Sequence, residues 1–183
     1  MGILDHDVLV VDQVTGFMSN NFAVSDMSGR QVGHIHTEGS ALGRMFAGSR
    51  DFTVVDETGW VLHLHDTMNW WRDRMEIRDG EGIALAEVVK RLAFFRTSCT
   101  VTLDGSALDL TGSLRGMDFT LTGPRGTLAT ISRQWAGISR AFLGRSRYVV
   151  SMSPDLSHRE RRALLGSVIA LDLIRAKENI NVG

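Results

Sequence analysis

One stretch near the C-terminus constrains this chain more than any other: a helix that is apolar on every side. Ser157-His158-Arg159-Glu160 has the capping-box pattern, a hydroxyl at the N-cap and a carboxylate three residues on. Ala163 to Ile174 follows, with Asp172 its only charge and Gly166 and Ser167 its other breaks. The aliphatic positions cover the whole circumference, so the helix must be surrounded by protein or by lipid. Length separates the two. Twelve residues rise about 18 Å, whereas a hydrocarbon core of roughly 30 Å needs about 20 apolar residues. Cations close both ends, at Arg161-Arg162 and at Arg175 and Lys177. The sequence therefore predicts a helix over 157–177 buried in protein, with Leu165 and Ile169 in the core.

The rest of the chain reads as strands. A short unit recurs, in which an apolar residue is followed seven positions later by a glycine: Phe22 to Gly29, Phe52 to Gly59, Met75 to Gly82 and Phe119 to Gly126. Each unit is a strand, a tight turn needing a positive φ, and a return strand. Return strands are predicted at 31–36, 60–65, 83–91 and 128–135, with a hairpin about Asp104-Gly105, a first strand at 8–11 and a last one at 147–152. Two longer connections are expected, 39–49 and 66–72. About twelve antiparallel strands and one apolar helix suggest a closed sheet with the helix in its lumen, which also removes exposed sheet edges.

Length favours a single domain over all 183 residues, with residues 1–7 expected to be mobile. The first ten positions carry Asp5, His6 and Asp7 where a secretory signal needs a basic and then apolar start. A lone Cys99, alternating with Val101 and Leu103, reads as a packed strand residue in a reducing compartment. The expectation is a cytoplasmic protein, at most peripheral on the inner membrane face. Enzyme signatures are missing: no Gly-x-Ser-x-Gly, no P-loop lysine and no His-Glu-x-x-His. We expect no catalytic chemistry and no cofactor.

Charge is divided unevenly. Residues 1–132 hold 11 basic and 17 acidic side chains, whereas residues 133–177 hold 9 basic and 3 acidic. Those C-terminal cations either solvate the ends of the buried helix or form a patch for anionic headgroups. Nucleic acid is the weaker partner, because no aromatic stacking series accompanies the arginines.

Leu128 to Gly137 with Arg133 and Trp135, Tyr148 to Met152, Ser153-Pro154-Asp155-Leu156 and Ala163 to Asp172 together resemble the phospholipid scramblase family. That family runs from a "G-x-I-x-K-x-W-x-G" strand through an "F-P-x-D-L" turn to an apolar "L-G-x-x-x-x-I-D" helix. The glycine-turn hairpins of residues 22–91 resemble the same family and its LURP-one-related relatives. The resemblance implies a Tubby-like fold, a twelve-stranded barrel around a central C-terminal helix, and membrane phospholipid binding or lipid scrambling. Two departures stand out. The chain has two prolines and one cysteine where animal scramblases have a proline-rich extension and a cysteine cluster. Gly144, Arg145, Ser146 and Arg147 occupy the positions of the proposed acidic calcium segment. Calcium needs several oxygen ligands, so no calcium site is expected there.

The candidate residues follow. Arg133, Arg140, Arg145 and Arg147 are assigned to anionic headgroups, and Trp70-Trp71, beside Arg72 and Arg74, to the membrane interface. The plainer reading of the two tryptophans is a plug over the barrel mouth. His34, His36, His63 and His65 form two His-x-His pairs on strands. Each pair shares a strand face, and together they could hold a transition metal if the strands met. We expect outward polar positions and no metal. Asp172 must pair, protonate or reach the rim, and a contact with Arg133 or a rim position near Arg175 would serve. The alternative to lipid binding is a soluble interaction module or a sensor of a small ligand.

Overall fold

The computed structural model describes residues 1–12, 21–37, 50–69, 72–93, 96–133 and 147–180. Among these residues twelve antiparallel strands close into one barrel, and a C-terminal helix, α1 (His158–Ile180), fills it. The strands are β1 (Val8–Asp12), β2 (Asn21–Ser25), β3 (Gln31–Thr37), β4 (Arg50–Asp56), β5 (Gly59–Asn69) and β6 (Arg72–Asp79). They continue as β7 (Ala84–Ala93), β8 (Arg96–Leu103), β9 (Ser106–Ser113), β10 (Asp118–Gly123), β11 (Gly126–Ser132) and β12 (Arg147–Met152). Each strand pairs with its sequence neighbours, and β1 pairs with β12 to close the ring. In such a meander the connections alternate between ends. Those leading from even to odd strands lie at the end where α1 begins, called here the upper end, and the others at the lower end.

The barrel forms because inward positions are apolar at a period of two. Val54, Leu62, Leu64, Met75, Ile77, Val88, Leu121 and Ile131 are fully enclosed. In α1, every residue from Ala163 to Ile174 outside Gly166 is at most 4% exposed, including Leu165 and Ile169 at 0%. The helix packs chiefly on β7, with β6, β5 and β8 beside it. Gly166 permits that approach: a Cβ there would lie 2.5 Å from Ile77 Cγ2. Ser167 removes its own polarity by donating to the Ala163 carbonyl at 2.8 Å. The capping box is present, with the Glu160 N–H 3.3 Å from Ser157 Oγ and the Ser157 N–H donating to Glu160 at 2.8 Å.

The four repeat glycines, Gly29, Gly59, Gly82 and Gly126, all have positive φ. Three of these turns share a device that the glycine spacing alone does not reveal. Asp26 accepts from the Ser28 N–H at 2.9 Å and its hydroxyl at 2.6 Å, and Asp56 does the same with Thr58 at 2.7 and 2.6 Å. Asp79 accepts from the Glu81 and Ile83 N–H groups at 3.0 and 2.8 Å. An aspartate three residues before the glycine thus satisfies the turn backbone locally.

The N-terminal segment is packed: Ile3–Asp5 forms a 3₁₀ turn, Ile3 is fully buried, and its N–H donates to Asp56 at 2.8 Å. Two apolar side chains, Ile3 and Leu4, give this segment a reason to pack. One expectation is corrected: residues 66–69 are not part of a connection. β5 runs to Asn69 and β6 starts at Arg72, because Asp66 keeps the inward parity of Leu62 and Leu64 and is fully buried.

Candidate functional site

Charged groups gather where α1 leaves the barrel at the lower end. Asp172 is completely buried, and Arg175, one turn on, donates to its Oδ1 from Nε at 3.0 Å and from Nη2 at 2.7 Å. Asp172 is therefore enclosed and not at the rim, with Arg175 as one partner. Arg133, at the end of β11, belongs to the same cluster. Burial lowers its guanidinium below the usual range and the like charge of Arg175 lowers it further, while Asp172 acts in the opposite sense. Tyr148 on β12 is fully buried, and its hydroxyl has no hydrogen-bond partner among the described residues. Burial, then the negative charge of Asp172, push its phenol well above the ordinary value. Asp66 on β5 and Lys90 on β7 are also buried on inward positions.

Arg147, the first residue of β12, is half-exposed and donates from Nε to Asp12 on β1 at 2.7 Å. Part of its charge is answered within the barrel wall. Arg140, Arg145, Trp70 and Trp71 lie outside the described residues.

The histidines come together on the outer wall. β3 and β5 flank β4, so His36 faces Thr53 and Thr53 faces His63, while His65 faces Asp51 and His34 faces Val55. Asp51 Oδ1 lies 2.6 Å from His65 Nδ1 and 3.8 Å from His63 Nε2. The strands do meet, as a shared site would require. Yet among the described residues no three His, Cys, Asp or Glu side chains are placed to hold a metal ion.

Sequence reasoning missed Arg161. It is buried, and its guanidinium donates to the carbonyls of Leu156 at 3.1 Å, His6 at 3.0 Å and Pro154 at 3.2 Å, and pairs with Asp7. It ties the N-terminal segment to the start of α1. A cation within the first turn of a buried helix was the available signal. Cys99 is partly buried against the core, as its alternation with Val101 predicts.

These features define a class: a closed antiparallel barrel built around one apolar C-terminal helix. The LURP-one-related family model matches residues 7–172, and the chain belongs to this family. A solved structure of an Arabidopsis thaliana protein is similar to it, with a TM-score of 0.49 and 15% identity, covering 95% of this chain and 91% of that one. No curated protein matches the chain. No helix among the described residues is long and apolar enough to cross a membrane.

Proposed function

We propose that this protein binds the anionic headgroups of membrane phospholipid, without catalysis, at the lower end of the barrel. One observation carries the reading: Arg133 and Arg175 gather about Asp172 where α1 leaves the barrel. Arg140 and Arg145, outside the described residues, stand in sequence between β11 and β12 and are assigned to the same surface from the sequence. Arg147 contributes least, since Asp12 answers it. The resemblance to scramblases makes lipid movement between leaflets the further role of the same surface, independent of calcium because Gly144 to Arg147 offer no acidic ligands. Co-sedimentation with vesicles tests the binding. Affinity should rise with anionic lipid content and fall with salt, and Arg140→Gln with Arg145→Gln should weaken it by up to about 2 kcal/mol. An unchanged double variant at low salt, or no binding by the parent, would favour a soluble interaction or small-ligand module instead.

A further inference from the structure

We propose that a depression at the upper end of the barrel binds a small zwitterion in which a phosphate is joined to a quaternary ammonium group, the chemistry of phosphocholine. Trp60, Glu81 and Arg162 are its recognition groups. Trp60, Asp79, Gly80, Glu81 and Arg162 line the depression, whose volume is about 370 Å³. Sites for small molecules begin at about 300 Å³. Trp60, the first side chain of β5, is 65% exposed, so most of its ring is surface that the core does not use. Gly80 lets the β6–β7 turn lie against it, since a Cβ there would stand 2.8 Å from the Trp60 carbonyl oxygen. Glu81 is held in the same turn by its N–H, which donates to Asp79 at 3.0 Å. Backbone geometry thus sets the aromatic face and the carboxylate side by side.

Unanswered charge marks the site, among neighbours whose charges are answered. Arg159 pairs with Asp104, Arg78 with Glu76, Arg161 with Asp7, Arg125 with Glu160, and Glu57 with the Met1 ammonium. Asp79 Oδ1 accepts from the N–H groups of its own turn. Arg162 and Glu81 line one depression, yet no side-chain hydrogen bond or ion pair joins either of them to another described residue. Arg162 Nε is shut off from water without a hydrogen-bond partner, a costly state for a guanidinium N–H. Opposite charges that share a depression without meeting suit a ligand that carries both. A guanidinium takes phosphate oxygens through paired N–H donors. A quaternary ammonium has no N–H to give, and the face of a tryptophan attracts it, as does a carboxylate nearby. A lone anion would meet two carboxylates here, and a lone cation would meet Arg162. The zwitterion answers all of them.

This site uses none of the lower-end arginines and needs no anionic lipid, so it and the reading above can fail separately. Free phosphocholine and the headgroup of phosphatidylcholine offer the same chemistry, and the experiment has an arm for each. In the first, phosphocholine, choline and inorganic phosphate are titrated separately into the full chain by calorimetry, with the Trp60 indole followed by NMR. Phosphocholine should bind saturably, and choline and phosphate each about tenfold or more weaker, because each lacks one charged contact. Trp60→Leu and Arg162→Gln should each weaken phosphocholine by about tenfold or more. Trp60 is exposed, so Trp60→Leu keeps the test decisive if Arg162→Gln folds poorly. In the second arm the full chain is co-sedimented with vesicles of phosphatidylcholine alone. Pelleting that Trp60→Leu abolishes supports the site and assigns it to the bilayer headgroup. Phosphocholine binding without pelleting supports it and assigns it to a soluble ligand. Saturable binding in neither arm overturns the inference. So does phosphocholine binding that is unchanged in Trp60→Leu, or phosphate alone binding as tightly as phosphocholine.

Discussion

The two ends of the barrel hold their polar groups differently. At the upper end the hairpin turns are satisfied locally, with Asp26, Asp56 and Asp79 accepting from donors two to four residues ahead and Ser157 and Glu160 capping each other, while buried Arg161 and the Ile3 N–H on Asp56 tie the N-terminal segment to it from far along the chain. At the lower end the charges are buried, and the groups around them come from distant parts of the chain. Asp172 and Arg175 on α1 meet Arg133 on β11 and Tyr148 on β12. Local satisfaction costs little and fixes turns. Buried charge is costly unless paired, and it is retained where a chain needs charge near a boundary. The lipid reading proposed above rests on the lower end, whereas the glycine-turn aspartates lie at the upper.

The largest effect tests the feature that joins the two ends. Leu165→Asp or Ile169→Asp puts an unpaired carboxylate at a fully enclosed position of α1 and should abolish folding. A soluble variant with parent-like thermal unfolding would show that the barrel does not depend on its helix.

Next comes the lower-end pair itself. Asp172→Asn leaves the buried Arg175 cation without its counter-charge and should cost about 3–5 kcal/mol in denaturant unfolding. Asp172→Leu combined with Arg175→Leu removes both charges and should recover most of that loss, because well-packed apolar replacements of a buried pair are often neutral. If the double variant is as unstable as the single one, Arg133 and Tyr148 depend on the pair and the cluster acts as one unit.

The same contrast explains what was legible in the sequence. Apolar alternation, the glycine turns and the all-round apolar helix are periodic and local, and they yielded twelve strands, a closed barrel and its central helix. Partners brought together by closure carry no local signature. Nothing around Asp172 in the sequence chooses between Arg133 and Arg175; the fold puts both in its cluster, Arg175 through two hydrogen bonds. Asp51 carries no signal in the sequence because its link to His63 and His65 exists only once β4 lies beside β5. The packing of Ile3 has no local signal for the same reason: its N–H partner Asp56 lies 53 residues away. Arg161 likewise reaches back across the chain to His6 and Asp7.

The smallest effects separate the ends by pH, each in its own limb of the stability curve. Tyr148 reports the lower end. Its pKa is raised by burial and by Asp172, so its contribution is fully present below the unfolded value of about 10 and is lost as pH rises above it. Tyr148→Phe should flatten the alkaline limb, and it removes a buried hydroxyl that has no hydrogen-bond partner among the described residues. Asp26 reports the upper end. Hydrogen bonds led by that from the Ser28 hydroxyl hold its carboxyl at about 2. A depressed carboxyl stabilises the fold above the unfolded value of about 3.9, and that stability disappears as pH falls from about 4 toward about 2. Asn at position 26 keeps an acceptor for the turn but cannot titrate, so Asp26→Asn should flatten the acid limb and leave the alkaline one unchanged. Thermal unfolding of parent and both variants across pH checks the pair. If either substitution alters both limbs, the two ends are energetically coupled through α1, and their separation fails.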